Sequence, residues 1–221
     1  MAFDWKKVKP FSKVLAIVSV IAWTVAAFDR RFDALILVLL GAQIFGMAGD
    51  IFLLFSEKCF IHGLASFLVG HFLYASLLIG KLWELSKQGG GVEDIFRCFF
   101  FAALAWVCFL FVFYSIFYVL PKRKLVKSSL WTAIQGYGWV LSGLVAVAFF
   151  AANAFGFFSN LLWLMPVGAF LFLLSDLILA YNRFIKPLRS GPVWVHMTYH
   201  SAQFFLAAGF VALLKTPVIT R

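Results

Sequence analysis

Seven long apolar segments, separated by short polar stretches, dominate this sequence. They are Phe11–Phe28, Ala34–Phe55, Phe60–Gly80, Ile95–Leu120, Ser128–Ala152, Leu161–Tyr181 and Val193–Leu214. Each is about long enough to cross the roughly 30 Å hydrocarbon core of a bilayer as a helix. Helices are favoured over barrel strands because the runs are continuous and lipid requires every backbone group to be hydrogen-bonded. The sequence predicts an all-α polytopic bundle of about seven transmembrane helices, forming a single integral-membrane domain over residues 1–221.

Composition and charge agree with a membrane protein and exclude a nucleic-acid-binding role. The chain is 64% hydrophobic and 13% charged, whereas soluble domains are about a quarter charged. Its net charge of +10 comes from Lys and Arg between the apolar segments, with more of them on the side of the N-terminus. We therefore expect a cytoplasmic N-terminus, a C-terminus on the opposite side, and a location in the bacterial inner (plasma) membrane. The longest predicted loop runs from Lys81 to Asp94.

Two aspartates lie inside apolar segments, Asp50 in the second and Asp176 in the sixth. A carboxylate in the middle of a bilayer costs about 2.5–3.5 kcal/mol on insertion scales, and such residues usually mark function. Both segments run toward the cytoplasm, and each aspartate comes about five residues before the end of its segment. We predict that the two carboxyl groups lie at similar depth in one pocket. The alternative is two unrelated carboxylates, each hydrated near the membrane surface.

Other polar residues lie at helical spacing in three further segments. The seventh segment carries the largest set: His196, Tyr199, His200 and Gln203. The third carries His71 and Tyr74, and the fifth carries Gln135, Gly138 and Ser142, with Tyr137 adjacent. A polar stripe on a membrane helix should face the protein interior or a wet cavity. For any one of these residues, interhelical hydrogen bonding for packing alone is the alternative, and we interpret the face in the fifth segment as a packing surface.

Metal binding is the main alternative use of the histidines. His196 and His200 are four residues apart and could share a metal with His71 and a carboxylate. However, no H-E-x-x-H pattern is present, because Met197, Thr198 and Tyr199 separate the two histidines. We expect no metal and no cofactor.

Short motifs in a fixed order connect these residues to a known family. They are Lys9-Pro10, Gly49-Asp50 followed by Ile51 and Leu53, Gly63-Leu64 with Phe67, Gly70-His71 with Tyr74, Ser175-Asp176 followed by Leu179-Ala180 and Asn182-Arg183-Phe184, and Thr198-Tyr199 with Ala202-Gln203. In this order and spacing the chain resembles the lysoplasmalogenase family of YhhN-like integral-membrane hydrolases. Family members usually have eight spans, with an extra helix before the Lys-Pro motif. The position after Tyr199 is often aromatic in the family and is His200 here.

The resemblance implies hydrolysis of the vinyl ether bond of lysoplasmalogen. The products are a fatty aldehyde and a glycerophospho-head group, glycerophosphoethanolamine or glycerophosphocholine. One carboxylic acid would protonate the β-carbon of the vinyl ether, and one carboxylate would stabilise the resulting oxocarbenium ion and activate water. Paired carboxyl groups do comparable work in glycosidases and aspartic proteases.

The same resemblance assigns roles to individual residues. Asp50 and Asp176 would form the catalytic pair. Four residues would orient the pair, the water or the glycerol oxygens: His71, Tyr74, Tyr199 and Gln203. The phosphate would lie near Lys9, Asn182 and Arg183. Ser175 and His200 complete the predicted substrate-binding set.

Two other functions stay open on the sequence alone. One is a metal-dependent membrane lipid amidase. The other is a proton-coupled transporter or lipid-binding receptor, for which intramembrane Asp and His are equally natural. The expected partners are a lysophospholipid substrate and membrane lipids, and homo-oligomerisation is left open.

Overall fold

Six long helices make up most of the described part of this computed structural model. The structure describes residues 5–55, 59–87, 100, 103, 106–107, 110, 129–158 and 161–216, without the side chains of 5–12 and 129–131. The helices are α1 (Trp5–Ala27), α2 (Ala34–Phe55), α3 (Phe60–Lys87), α4 (Ser129–Ala154), α5 (Leu164–Phe184) and α6 (Gly191–Lys215). Within the described residues, all-helical architecture is thus confirmed.

Membrane-spanning character is clear for five of these six helices. Helices α2 to α6 are long and apolar enough to cross a bilayer, whereas the apolar part of α1, Lys13–Ala27, is shorter. Most of the predicted segment Ile95–Leu120 lies outside the described residues. Its described positions are all helical: 100, 103, 106, 107 and 110. The total of seven spans therefore stays a prediction.

Helices α1 and α3 extend furthest beyond the apolar segments that predicted them. Helix α1 begins at Trp5, before the predicted start at Phe11. Helix α3 continues to Lys87, so the predicted loop from Lys81 to Asp94 was wrong over its first seven residues. The amphipathic end of α3 is stabilised by an i,i+3 ion pair in which Lys81 Nζ lies 3.1 Å from Glu84 Oε2. Hydropathy alone misses such polar helix ends.

A capping residue fixes where α2 begins. Asp33 Oδ1 accepts a hydrogen bond from the backbone N–H of Ile36 at 2.8 Å. This is the N-cap arrangement, in which a short polar side chain satisfies a free N–H of the first turn. The connection from α1 turns sharply just before it, with positive φ angles at Asp29 and Arg30. The cap thus fixes the start of α2, the helix that carries Asp50.

The six helices form a closed ring in chain order. Each packs against the next, α1 closes the ring against α6, and α2 also touches α6. Interhelical hydrogen bonds support this order: Gln43 Nε2 donates to Thr24 Oγ1 between α2 and α1 at 2.9 Å, and Ser66 Oγ donates to the Phe45 carbonyl between α3 and α2 at 2.7 Å. Residues on the inner faces of all six helices can therefore meet at the centre of the ring.

Helices α5 and α6 approach most closely where glycine removes a side chain. A Cβ atom on Gly168 would lie 2.6 Å from the backbone nitrogen of Leu206, and one on Gly209 would lie 2.6 Å from that of Met165. Backbone atoms cannot move aside as a flexible side chain can. Small residues at such crossings allow the dense packing that holds membrane helices together.

This close approach makes Gly168 intolerant of even one added methyl group. Gly168→Ala should destabilise the protein by about 1–3 kcal/mol, the usual cost of overpacking, and lower its thermal unfolding temperature in detergent. Gly80→Ala is the matched control, because a Cβ at Gly80 meets no atom of the described structure within 4 Å. Equal melting temperatures for the two variants would contradict the proposed crossing.

Candidate active site

The two intramembrane aspartates meet in one polar cluster inside the ring. Asp50 comes from α2 and is 1% exposed, whereas Asp176 comes from α5 and is partly exposed. Tyr199, which holds Asp50, and His71, which lies beside the hydrogen-bond partner of Asp176, both contact the Phe172 ring. The two carboxyl groups are held by different partners, and a single pocket shared by both stays a prediction.

Asp50 is held by two residues of α6. Tyr199 donates its hydroxyl proton to Asp50 Oδ2 at 2.6 Å, and Gln203 Nε2 donates to the Tyr199 hydroxyl oxygen at 2.9 Å. Tyr199 and Gln203 are four residues apart, which places them on one face of the helix. Asp50 Oδ1 and Gln203 Oε1 are buried and have no hydrogen-bond partner among the described residues. We call Asp50, Tyr199 and Gln203 the Asp50 arm.

Asp176 is held by residues of α4 and α3. Its Oδ2 is hydrogen-bonded to the Tyr137 hydroxyl. The same hydroxyl lies 3.1 Å from His71 Nε2. His71 Nδ1 is buried and finds no partner in the described part of the chain. We call Asp176, Tyr137 and His71 the Asp176 arm.

Aromatic rings fix the two arms relative to each other. The Phe172 ring lies 4.7 Å from that of His71 and 5.3 Å from that of Tyr199, edge to face in both cases. The Phe67 ring contacts Phe172 and Tyr199 at 5.8 and 6.1 Å. Edge-to-face packing is the favoured geometry for such rings. The hydroxyl and imidazole groups therefore have little freedom to leave the carboxyl groups.

A cation from α1 completes the cluster. Lys13 Nζ lies 5.7 Å from the centre of the Tyr199 ring, within the range of a cation–π contact. Its charge also acts on both Asp50 and Asp176. Each of the six long helices thus contributes at least one residue to the site.

An apolar cleft opens onto the Asp176 arm. It has a volume of about 580 Å³, including the part open to the surface. Asp176 and the Tyr137 hydroxyl are its ionisable groups, and Asp50 does not line it. The other lining residues are Leu53, Phe60, Leu64, Phe67, Ile134, Gly138, Leu141, Leu173, Leu177, Leu179, Ala180 and Phe184. Such a lining suits a hydrocarbon chain with one reactive polar group.

The rim of the cleft carries a positive charge. Phe60 and Phe184 pack edge to face with ring centres 5.8 Å apart. The Arg183 guanidinium lies 4.3 Å from the centre of the Phe60 ring. Arg183 is seven residues beyond Asp176, so the two lie roughly 10 Å apart along the axis of α5. Arg183 thus lies over Phe60, a lining residue of the cleft.

Several predicted site residues have structural contacts instead of a place in the cluster. Ser175 Oγ donates to the Val195 carbonyl at 3.2 Å and joins α5 to α6. Asn182 Oδ1 accepts from the Leu188 N–H at 2.6 Å in the connection between these helices. Tyr74 is buried with its ring 4.8 Å from that of Phe210, and its hydroxyl has no hydrogen-bond partner among the described residues.

The remaining predicted residues lie beside the cluster or outside the description. His200 is half-buried, with its ring 5.5 Å from that of Tyr199 and 5.8 Å from that of His196. Lys9 is helical, but its side chain is outside the described residues. Over the described chain, no group of three or more His, Cys, Asp or Glu residues is placed to hold a metal ion.

Sequence reasoning missed two residues of the cluster. Tyr137 was named only as adjacent to a packing face, yet its hydroxyl group is hydrogen-bonded to Asp176. A buried tyrosine in a membrane span needs a partner for its hydroxyl group, and this requirement could have identified Tyr137 as a member of the polar cluster. Lys13 was counted among the basic residues near the N-terminus, yet α1 carries it to the Tyr199 ring. Nothing in the sequence places α1 beside α6.

Comparison with known proteins shows the family of this chain. The YhhN family profile matches residues 8–210, which is most of the sequence. The chain belongs to the YhhN family. It is 28% identical over 171 residues to lysoplasmalogenase TMEM86A of Bos taurus and 29% identical over 172 residues to lysoplasmalogenase TMEM86A of Homo sapiens. Each match covers 76% of this chain and 62% of the relative. No solved structure matches the chain.

In this YhhN-family protein, Asn182 offers a direct test of a structural role. Asn182→Ala should lower stability by about 1 kcal/mol, because the Leu188 N–H loses its acceptor. Asn182→Asp keeps the oxygen and should retain most of that stability. Thermal unfolding of both variants in detergent measures the difference. A stable Ala variant whose lysolipid affinity falls would instead favour the predicted contact with phosphate.

Proposed function

We propose that this YhhN-family protein is a lysoplasmalogenase, which hydrolyses the vinyl ether bond of a single-chain lysoplasmalogen. The observation that carries the proposal is the packing of the Asp50 arm and the Asp176 arm on one ring, that of Phe172, beside an apolar cleft that Asp176 lines. Distant similarity to the two TMEM86A lysoplasmalogenases supports the same reaction. The products would be a fatty aldehyde and glycerophosphoethanolamine or glycerophosphocholine.

The two carboxyl groups supply the chemistry that this bond requires. A carboxylic acid gives its proton to the β-carbon of the vinyl ether, and the ether oxygen shares the positive charge as an oxocarbenium ion. The other carboxyl group, as an anion, stabilises that ion and accepts a proton from the water that adds to the α-carbon. The hemiacetal collapses to aldehyde and alcohol, and proton exchange with solvent resets the pair.

The distance between Asp176 and Arg183 along α5 is similar to the distance between the double bond and the phosphate of a lysolipid. Roughly seven bonds separate the phosphorus from the vinyl β-carbon, and an extended chain of that length covers about 8 Å. Asp176 and Arg183 are separated by a similar distance along α5. Arg183 would therefore bind the phosphate while Asp176 reaches the double bond, and the guanidinium suits phosphate oxygens geometrically.

Removing either carboxyl group should abolish turnover. Asp50→Asn and Asp176→Asn should each lower aldehyde release from lysoplasmalogen by at least about 100-fold. Asn keeps the shape and removes the proton-transfer group. Because the pair acts as a unit, the double variant should be little worse than either single variant. Purified protein in detergent micelles with an aldehyde assay measures this.

Two controls make the result specific. Asp33→Asn should keep full activity, because Asn is as good an N-cap as Asp. The matching ester-linked lysophospholipid should not be cleaved, because protonation of an ester does not give the same ion. Lipid binding without any aldehyde release would favour a receptor over a hydrolase, and flux without aldehyde release would favour a transporter.

The cleft should bind the hydrocarbon chain of the substrate. Ala180 lines the cleft one turn beyond Asp176, whereas the neighbouring Ile178 does not line it. Ala180→Phe should exclude roughly two methylene groups, worth about 0.8 kcal/mol each, and so raise KM about tenfold. Ile178→Phe should leave KM unchanged. Equal effects of the two substitutions would mean that the chain binds elsewhere.

A further inference from the structure

The two arms differ in the direction in which their hydrogen bonds run. In the Asp50 arm, the Gln203 amide nitrogen can only donate, so the Tyr199 oxygen accepts. The single hydroxyl proton of Tyr199 is then given to Asp50 Oδ2. Asp50 is therefore held as an acceptor, and a carboxylate accepts such a bond more strongly than a neutral acid.

The Asp176 arm imposes no such direction. A neutral imidazole nitrogen either donates or accepts, so His71 Nε2 fits either orientation of the Tyr137 hydroxyl. When His71 accepts, the Tyr137 oxygen is open to a proton from a neutral Asp176. When Asp176 is ionised, the Tyr137 hydroxyl turns to donate to it. This arm thus accommodates the protonated and the ionised carboxyl group equally.

The two aspartates also differ in their access to the cleft, which is an observation independent of their hydrogen bonds. Asp176 and Tyr137 line the apolar cleft, whereas Asp50 is 1% exposed and does not. A carbon atom of a chain in the cleft can approach Asp176 directly. The cation of Lys13 contacts Tyr199 of the Asp50 arm.

We propose that Asp176 is the acid that protonates the β-carbon of the alkenyl chain and that Asp50 is the anion of the resting pair, with Tyr137 and Tyr199 as their respective positioning residues. This assignment rests on the proposed lysoplasmalogenase function. The C–H bond forms as the Asp176 O–H bond breaks, and the electron pair of the double bond is used. Asp50 Oδ1 then takes the proton that the attacking water loses as its oxygen bonds to the α-carbon.

Rate against pH separates the two roles. Activity should fall at low pH as the anion is protonated and at high pH as the acid loses its proton, which gives a bell-shaped profile. The ionisable groups that face the pair come from every helix of the ring: Lys13, His71, Tyr137, Tyr199 and His200, besides Asp50 and Asp176. The two limbs therefore report macroscopic pKa values of the coupled cluster, and variants of each arm are needed to assign a limb to an aspartate.

The test uses a matched set of single-hydroxyl deletions. Tyr137→Phe should move the alkaline limb by about half a pH unit or more and leave the acidic limb in place, because a hydrogen bond to one carboxyl group is lost. Tyr199→Phe should move the acidic limb alone. Tyr181→Phe, which removes a hydroxyl from α5 outside both arms, should move neither. The assignment would be overturned if Tyr137→Phe moved the acidic limb and Tyr199→Phe the alkaline limb, or if neither variant moved a limb.

Two further measurements keep the assignment testable if a variant is inactive. Turnover of wild-type protein in D₂O should give aldehyde with one deuterium at C2, which tests vinyl ether protonation whichever aspartate supplies the proton. Absence of that deuterium would refute the proposed function itself. Infrared spectroscopy near neutral pH should show a protonated carboxyl band that disappears in Asp176→Asn and persists in Asp50→Asn. Loss of the band in Asp50→Asn instead would reverse the two roles.

Discussion

A carboxyl group inside a bilayer must find its hydrogen-bond partners within the protein, and the rest of this structure depends on that constraint. Neither aspartate is satisfied by its own helix. Asp50 on α2 is held by Tyr199 on α6, and Asp176 on α5 is held by Tyr137 on α4. The first pair joins helices far apart in sequence, and the second joins consecutive helices. Four helices are therefore tied to the same polar centre, around which the ring closes.

Packing makes these polar contacts rigid as well as satisfied. In a membrane, helices gain little from burying apolar side chains, because lipid is equally apolar. Close approach at Gly168 and Gly209 and edge-to-face contacts of Phe172 supply the attraction and the order. A site built on six helices in this way can hold two carboxyl groups in different surroundings. That arrangement would separate an acid from an anion without a bound cofactor.

The cleft explains why such a polar centre would act on a lipid. Nearly all of its lining is hydrocarbon, and the polar groups meet it at Asp176 and Tyr137. A substrate that is a long chain with one reactive bond near its head group matches that distribution. Asp50, out of contact with the cleft, then influences the reaction through its charge and through water. The two carboxyl groups differ in surroundings although their residue type and depth are alike.

Sequence alone determined the helical segments and predicted that the two aspartates lie at one depth. Continuous apolar runs permit only helices in lipid, and Asp50 and Asp176 stand at equal distance from the ends of two apolar segments that run in the same direction. Which side chain holds each carboxyl group was decided by the tertiary structure, because rotation of α4 about its axis selects Tyr137 over its neighbours. The place of Lys13 depends likewise on α1 closing the ring against α6. Hydropathy and residue spacing indicate how deep a residue lies in the membrane and which face of its helix it occupies. Packing between helices decides which neighbouring helix that face contacts.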